Sequence, residues 1–139
     1  MAVMPIEWGK VREYAMATAA ARPAYVDDPA APIPPTFLAT VVWWTPVGDT
    51  LRAPEVVRAC AEAGVPADVR NLLSLEQEYV FHGDVPRAGE ELAVENRFDE
   101  AVVKRKGMVI LRYVLEFRDP ASGALRAECR YTSAYRQAA

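Results

Sequence analysis

The chain has 139 residues, 52% hydrophobic and 25% charged, which is typical of one globular domain spanning residues 1–139. Its formal net charge of -3 argues against nucleic acid as a partner, because that needs a clustered excess of lysine and arginine. No secretory signal and no apolar segment of membrane-spanning length is evident, so we expect a cytoplasmic protein without a membrane partner. Two distant cysteines and a single histidine suit neither a disulfide framework nor a metal site, and we expect no metal and no cofactor.

The first part of the chain predicts helices separated by a proline-rich crossing. Apolar residues recur at helical spacing over residues 8–19, which predicts an amphipathic helix that ends before Pro23. The apolar run at residues 36–44 is compatible with a buried strand or a buried helix. Pro35 suits the first turn of a helix, so we expect a buried helix there.

A shorter helix is predicted at residues 54–63, with Gly64 at its end, and the period changes to two from residue 71. Four alternating stripes predict strands: Leu73, Leu75, Gln77, Tyr79 and Phe81; Leu92, Val94, Asn96 and Phe98; Val109, Leu111, Tyr113, Leu115 and Phe117; and Leu125, Ala127, Cys129, Tyr131, Ser133 and Tyr135. Turn signals between the stripes predict a meander. We therefore expect an α+β fold, with a curved antiparallel sheet wrapped around the buried helix at residues 36–44.

This order of elements is that of a hotdog fold, and several short motifs make the resemblance more specific. They are Tyr14, Ala15, Ala17 and Thr18; Pro23, Tyr25 and Asp27; residues 34–37 (PPTF); residues 76–79 (EQEY); and residues 86–90 (PRAGE). Together they resemble the MaoC-like dehydratase family, and most closely its FAS1-type dehydratase N-terminal branch. The resemblance covers most of the chain.

The resemblance implies an activity whose proton-transfer groups this chain lacks. Family members hydrate 2-enoyl thioesters or dehydrate (R)-3-hydroxyacyl thioesters through an aspartate and a histidine. These positions fall at Ala20 and Tyr25, and the asparagine between them falls at Arg22. A methyl group cannot take a proton, and a phenol with a pKa of about 10 is a poor substitute for imidazole. The substitutions resemble the degenerate half of two-hotdog dehydratases, so we expect no intact catalytic pair.

The resulting hypothesis is an acyl-thioester-binding, non-catalytic subunit that takes acyl-CoA or acyl-ACP. It would form a homo- or heterodimer with another hotdog subunit that carries the aspartate and histidine. The resemblance and the local chemistry together suggest these substrate-binding residues: Arg22, Tyr25, Pro35, Thr36, Phe37, Trp43, Trp44 and Tyr79.

Several alternatives stay open at this point. The N–H groups of Thr36 and Phe37 either bind the thioester oxygen, as in the family, or only begin a buried helix. Trp43 and Trp44 line an acyl tunnel or anchor an interface. Arg22 either binds the phosphates of a pantetheine-bearing ligand or faces solvent. The chain itself is alternatively a stand-alone dehydratase, cyclase or thioesterase that uses other residues, or a binding module without a substrate.

The sequence leaves open whether three further residues have a catalytic role, although each has a simpler structural explanation. His82 is the only histidine, but it follows a strand end beside a turn, so a surface position is expected. Asp27 and Asp28 precede Pro29 and are expected to be solvated turn carboxylates.

Overall fold

The computed structural model of the chain describes residues 1–45 and 47–137. Its helices are α1 (Trp8–Ala17), α2 (Pro23–Val26), α3 (Gly48–Leu51) and α4 (Pro54–Ala63), with 3₁₀ helices at Phe37–Trp43 and Val69–Asn71. Its strands are β1 (Ala2–Pro5), β2 (Leu72–Phe81), β3 (Glu91–Arg105), β4 (Met108–Arg118) and β5 (Leu125–Arg136). No helix in these ranges is both long and apolar enough to cross a membrane.

The strands form one five-stranded sheet in the order β1-β3-β4-β5-β2. Strands β3, β4 and β5 follow one another as a meander, which confirms the antiparallel α+β prediction. The expectation of a meander throughout is wrong for β2, which lies beside β5 instead of β3. The reason is that β1 occupies the free side of β3, where Met4 pairs with Leu92. Both of these side chains are fully buried.

The predicted stripes on β4 and β5 are buried, apart from the half-buried Leu125. Every residue of the β4 stripe is less than a tenth exposed. The stripe predicted for β2 behaves differently, because Leu73 is 38% exposed and Leu75 is 54% exposed. β2 lies at the end of the sheet order, and an edge strand has a neighbour on one side only.

Helices α1 and α4 confirm two predictions. α1 ends two residues before the expected position and buries Val11 and Ala15. α4 has the predicted bounds and ends at Gly64, which adopts a left-handed φ of 70°. Glycine reaches this conformation without a Cβ penalty, as expected for the residue that follows a helix.

The helix predicted at residues 36–44 needs a correction. It is a 3₁₀ helix at Phe37–Trp43, and only one side of it is buried. Phe37, Leu38 and Val41 reach the core, whereas Trp43 is 83% exposed. An apolar run without periodicity does not reveal which of its residues will meet the core.

Contacts within the described residues divide them into two compact units. The first comprises Met1–Thr45, Tyr79–Glu95 and Glu116–Glu128, and the second comprises the described residues within 46–78, 96–115 and 129–139. The first unit buries residues that include Met4, Ile6, Val11, Phe37, Leu92 and Phe117. The second unit buries residues that include Val56, Cys60, Leu111, Leu115 and Tyr135. A single domain over residues 1–139 stays a prediction.

Candidate functional site

A cavity of about 420 Å³ lies in the first unit, between α1 and the 3₁₀ helix at Phe37–Trp43. We call it the aromatic cavity, because four of its wall residues have aromatic rings. Its lining residues are Pro5, Lys10, Glu13, Tyr14, Ala17, Phe37, Thr40, Trp43 and Trp44.

Each of the two helices lines one wall of the cavity with the residues that its helical repeat places on one face. Residues of α1 at positions 10, 13, 14 and 17 share one face, as residues spaced three, four and seven apart do on an α-helix. Residues 37, 40 and 43 line the opposite wall, because side chains three apart eclipse on a 3₁₀ helix. The Thr40 Oγ1 donates to the Phe37 carbonyl at 2.9 Å, so its hydroxyl proton already has a partner within the 3₁₀ helix.

Tyr14 connects the two walls. Its hydroxyl donates to the Thr36 carbonyl oxygen at 3.0 Å and lies 2.7 Å from the Thr36 Oγ1. Its ring meets the Phe37 ring edge-on, with the centroids 5.5 Å apart. Sequence reasoning placed Tyr14 in the family frame but missed it as a site residue. The signal that was available is a tyrosine on the same helical face as Lys10 and Ala17.

The rim of the cavity on the α1 side is charged. Lys10 Nζ lies 3.0 Å from Glu13 Oε2, and both side chains are exposed to solvent. The hydrogen bond that Lys10 donates to Glu13, and then the charge of Glu13, raise the pKa of Lys10 above its usual value. The rim therefore presents the Lys10–Glu13 ion pair to solvent.

The residues predicted to stand at the family's proton-transfer positions do not line the aromatic cavity. Ala20 is half-buried, and its N–H donates to the Ala15 carbonyl at 2.7 Å. Tyr25 is half-buried within α2. Arg22 is exposed just before α2, where its carbonyl oxygen accepts the Tyr25 N–H at 2.9 Å. None of the three is among the residues that line the aromatic cavity.

The predicted oxyanion donors lie at the start of the 3₁₀ helix. Pro35 and Thr36 are exposed and Phe37 is buried. The Phe37 N–H donates to the Pro34 carbonyl at 3.0 Å, so in this conformation it serves the turn that begins the helix. To bind a thioester oxygen, the Phe37 N–H would have to break its hydrogen bond to the Pro34 carbonyl or share it with the ligand. The oxyanion-binding role of Thr36 and Phe37 stays a prediction.

His82 lies in a different hollow of the first unit, of about 790 Å³. Its Nε2 lies 2.9 Å from Glu128 Oε2. In the same hollow, Arg126 donates to Glu90 at 3.1 Å. The chain's one histidine is therefore not a wall residue of the aromatic cavity.

The remaining candidates lie apart from the aromatic cavity. Tyr79 is half-buried on β2 and does not line the cavity. Asp28 accepts the Ala30 N–H at 2.9 Å, which is the turn role expected of it. Asp27 is exposed where α2 ends. Of the eight predicted binding residues, the structure brings Phe37, Trp43 and Trp44 together in one wall.

Solved structures similar to this chain share its fold. One chain of the HadBC (3R)-hydroxyacyl-ACP dehydratase complex from Mycobacterium tuberculosis matches with a TM-score of 0.70 and 20% identity, over 95% of this chain and 89% of that one. A chain of the ChsH1–ChsH2 complex from the same organism matches with a TM-score of 0.69 and 12% identity, over 98% and 81%. The MaoC-like dehydratase from Rhodospirillum rubrum matches with a TM-score of 0.58 and 12% identity, over 99% and 89%. These likenesses confirm the hotdog fold.

The sequence comparisons complete the assignment. No match was found among curated protein sequences. The model of the family described as "FAS1-like, dehydratase domain region" matches residues 2–120, which is most of the chain. The chain thus belongs to the FAS1-like dehydratase-region family, and its hotdog fold is that of the MaoC-like dehydratases.

Proposed function

We propose that this chain is the acyl-thioester-binding, non-catalytic subunit of a heteromeric (R)-specific enoyl-thioester hydratase or 3-hydroxyacyl dehydratase. One observation supports it above the others. The aromatic cavity has a largely apolar and aromatic lining, while the resemblance places Ala20 and Tyr25 at the positions of the family's aspartate and histidine.

The cavity suits the hydrocarbon part of an acyl thioester. Its volume of about 420 Å³ falls in the usual range for small-molecule pockets, roughly 300–1,000 Å³. Phe37, Trp43 and Trp44 offer an acyl chain apolar surface, and each buried methylene contributes about 0.8 kcal/mol. The side chain of Arg22 is exposed to solvent. We propose that it contacts the phosphates of a CoA or ACP carrier.

The chemistry has to come from elsewhere. General acid–base groups contribute rate factors of about 10² to 10⁴, and neither Ala20 nor Tyr25 is the carboxylate or imidazole that the family uses. His82 is engaged with Glu128 in another hollow. The similar HadBC and ChsH1–ChsH2 structures are complexes of two different subunits. A partner hotdog subunit with an intact aspartate and histidine would complete the site, and we assign this chain one hotdog domain over residues 1–139.

The test is an assay of the purified chain with crotonyl-CoA and dodecenoyl-CoA, alone and with the hotdog subunit that co-purifies when neighbouring reading frames are co-expressed. We expect no hydration by the chain alone, and turnover by the complex. Dodecenoyl-CoA should still raise the thermal midpoint of the isolated chain. Robust hydration by the single polypeptide would contradict the proposal.

Trp43→Ala and Val57→Ala make a matched pair for the binding measurement, because both remove an exposed apolar side chain. Trp43 lines the cavity, whereas Val57 lies on α4 outside it. The thermal shift with dodecenoyl-CoA should shrink in Trp43→Ala and persist in Val57→Ala. Equal shifts in both variants would count against the aromatic cavity as the acyl site.

A stand-alone thioesterase is the second candidate, and one observation favours it. The 3₁₀ helix has no carboxylate, but Glu13 brings one to the cavity from α1. A carboxylate beside a thioester can activate water for hydrolysis. Release of free CoA by the wild-type chain, lost in Glu13→Gln, would support this candidate over the non-catalytic subunit. No release from any acyl-CoA would dismiss it.

A further inference from the structure

The apolar surface of the aromatic cavity comes mainly from rings and not from long aliphatic side chains. Tyr14, Phe37, Trp43 and Trp44 line it, whereas no leucine, isoleucine, valine or methionine of the described residues does. A hydrocarbon chain needs only apolar area, which aliphatic side chains provide as well as rings do. A wall of rings is better matched to a ligand that interacts with the ring faces themselves.

Ring faces carry partial negative charge and attract cations that lie within about 6 Å of the ring centre. Tyr14 and Phe37 meet with an angle of 83° between their planes, so two of the rings stand nearly perpendicular. Trp43 is 83% exposed and Trp44 is 43% exposed, which leaves indole surface open to a ligand. Tryptophan binds cations best among aromatic side chains, and aromatic cages are a recurrent way of binding quaternary ammonium groups.

The charged groups at the cavity do not oppose a cation. Of the described residues, Lys10 and Glu13 are the charged ones that line it, and they form an ion pair through Glu13 Oε2. The other oxygen of this carboxylate, Oε1, accepts no hydrogen bond from the part of the chain that the structure describes. After the effects of Glu13, the charge of Glu7 also raises the pKa of Lys10. The rim thus has two carboxylates near one ammonium, and Arg12, although exposed on α1, does not line the cavity.

We propose that the aromatic cavity holds a quaternary ammonium group, and that the acyl thioester taken by this chain carries a trimethylammonium group at the far end of its acyl part. This inference rests on the proposed function and names the class of acyl group. An uncharged acyl part of the same shape buries similar apolar area, but it gains nothing from the charge of the ring faces or of Glu13.

Two thioesters of matched shape separate the effect of charge from that of size. In 4-trimethylammoniobutanoyl-CoA a quaternary nitrogen stands where 5,5-dimethylhexanoyl-CoA has a quaternary carbon. Isothermal titration of the full chain with each thioester gives two dissociation constants. We expect the charged thioester to bind at least about fivefold more tightly. Equal affinities, tighter binding of the uncharged thioester, or binding of neither would overturn the proposal.

Trp43→Leu and Phe98→Leu are a matched pair of variants, because each replaces an aromatic ring by leucine. Trp43 lines the cavity, whereas Phe98 is half-buried on β3 and does not line it. Because Trp43 is exposed, its replacement removes little packing from the core. The preference for the charged thioester should fall in Trp43→Leu and persist in Phe98→Leu. The same preference in both variants would overturn the proposal.

The ion pair gives a second test in which two variants change the result in opposite directions. Glu13→Gln leaves the Lys10 ammonium unpaired and should reduce the preference for the charged thioester several-fold. Lys10→Gln leaves the Glu13 carboxylate unpaired and should increase it. Both thioesters carry the same CoA, so the ratio of their dissociation constants cancels effects of these charges on the carrier. A ratio that is unchanged in both variants would overturn the proposal.

A trimethylammonium group could also reach the cavity on a lipid headgroup, and a vesicle experiment distinguishes the two sources. We expect the chain not to co-sediment with phosphatidylcholine vesicles. Co-sedimentation that Trp43→Leu abolishes would overturn the assignment to a thioester.

The outcome is separable from that of the proposed function. Hydration of crotonyl-CoA by the chain alone would remove the proposed function and leave a measured preference for the charged thioester standing. An inactive chain without that preference would keep the proposed function and remove this inference.

Discussion

The Tyr14 hydroxyl links α1 to Thr36, the residue that precedes the 3₁₀ helix. Tyr14→Phe removes its hydrogen bond to the Thr36 carbonyl and keeps the ring contact with Phe37. We expect the free energy of unfolding to fall by about 0.5–1.5 kcal/mol, the usual net value of one such bond. Urea denaturation measures it. Tyr25→Phe is the control and should change stability less, so an equal loss in both variants would contradict the assigned role.

The buried thiol of Cys129 makes the free energy of unfolding depend on pH in the alkaline range. Burial on β5 raises the pKa of its thiol to about 12, against an ordinary 9.0, with a hydrogen bond from Tyr131 acting in the opposite direction. The unfolded thiol therefore loses its proton above about pH 9, while the folded one keeps it. Its contribution to stability is complete below pH 9 and is lost as the pH rises towards 12.

We expect the free energy of unfolding to fall above pH 9, with Cys129 adding up to about 1.4 kcal/mol per pH unit to the slope. Urea denaturation at pH 8, 9 and 10 gives that slope. Cys129→Ala should flatten it, although burial also raises the pKa of Cys60 and that thiol keeps part of the dependence. An unchanged slope in Cys129→Ala would show that this thiol ionises alike in both states.

At the scale of elements, Gly64 decides how α4 ends. A φ of 70° costs an L-residue with a Cβ roughly 1–2 kcal/mol. A Cβ added at Gly64 would have no neighbouring atom within 4 Å, so crowding adds nothing to that cost. Gly64→Ala should therefore lower stability by about that amount in thermal or urea denaturation. Gly9→Ala is the matched change within α1, also without crowding, and should raise stability by up to about 1 kcal/mol. A loss in both variants would point to something other than the backbone conformation.

The elements differ in how well local sequence predicted them. β4 and β5 have neighbours on both sides in the sheet, so their period-two stripes match their buried faces. The stripe on β2 has equal periodicity, yet Leu73 and Leu75 are exposed because of the strand's place at the edge. β1 and the short α2 were not predicted. Four residues are too few for a period to be recognised.

At the scale of the whole molecule, the exposed Trp43 is the feature that a partner would change. A side chain that is 83% exposed at the wall of an apolar cavity is costly to leave in water and gains from being covered. We expect acrylamide quenching of tryptophan fluorescence to fall when the co-purifying hotdog subunit is bound. Trp43→Phe should lose most of that change. Unaltered quenching in the complex would place the interface elsewhere.

The sequence by itself determined what depends on neighbours along the chain. The helix that ends at Gly64 and the stripes of β4 and β5 follow from local patterns. The position of Ala20 and Tyr25 in the family's proton-transfer motif stays a prediction from the resemblance. Only the tertiary structure decided that β2 lies beside β5, and that α1 brings Tyr14 and Glu13 to the wall opposite Phe37. The physical reason is that periodicity fixes which residues share a face, whereas contacts between elements distant in sequence fix what each face meets.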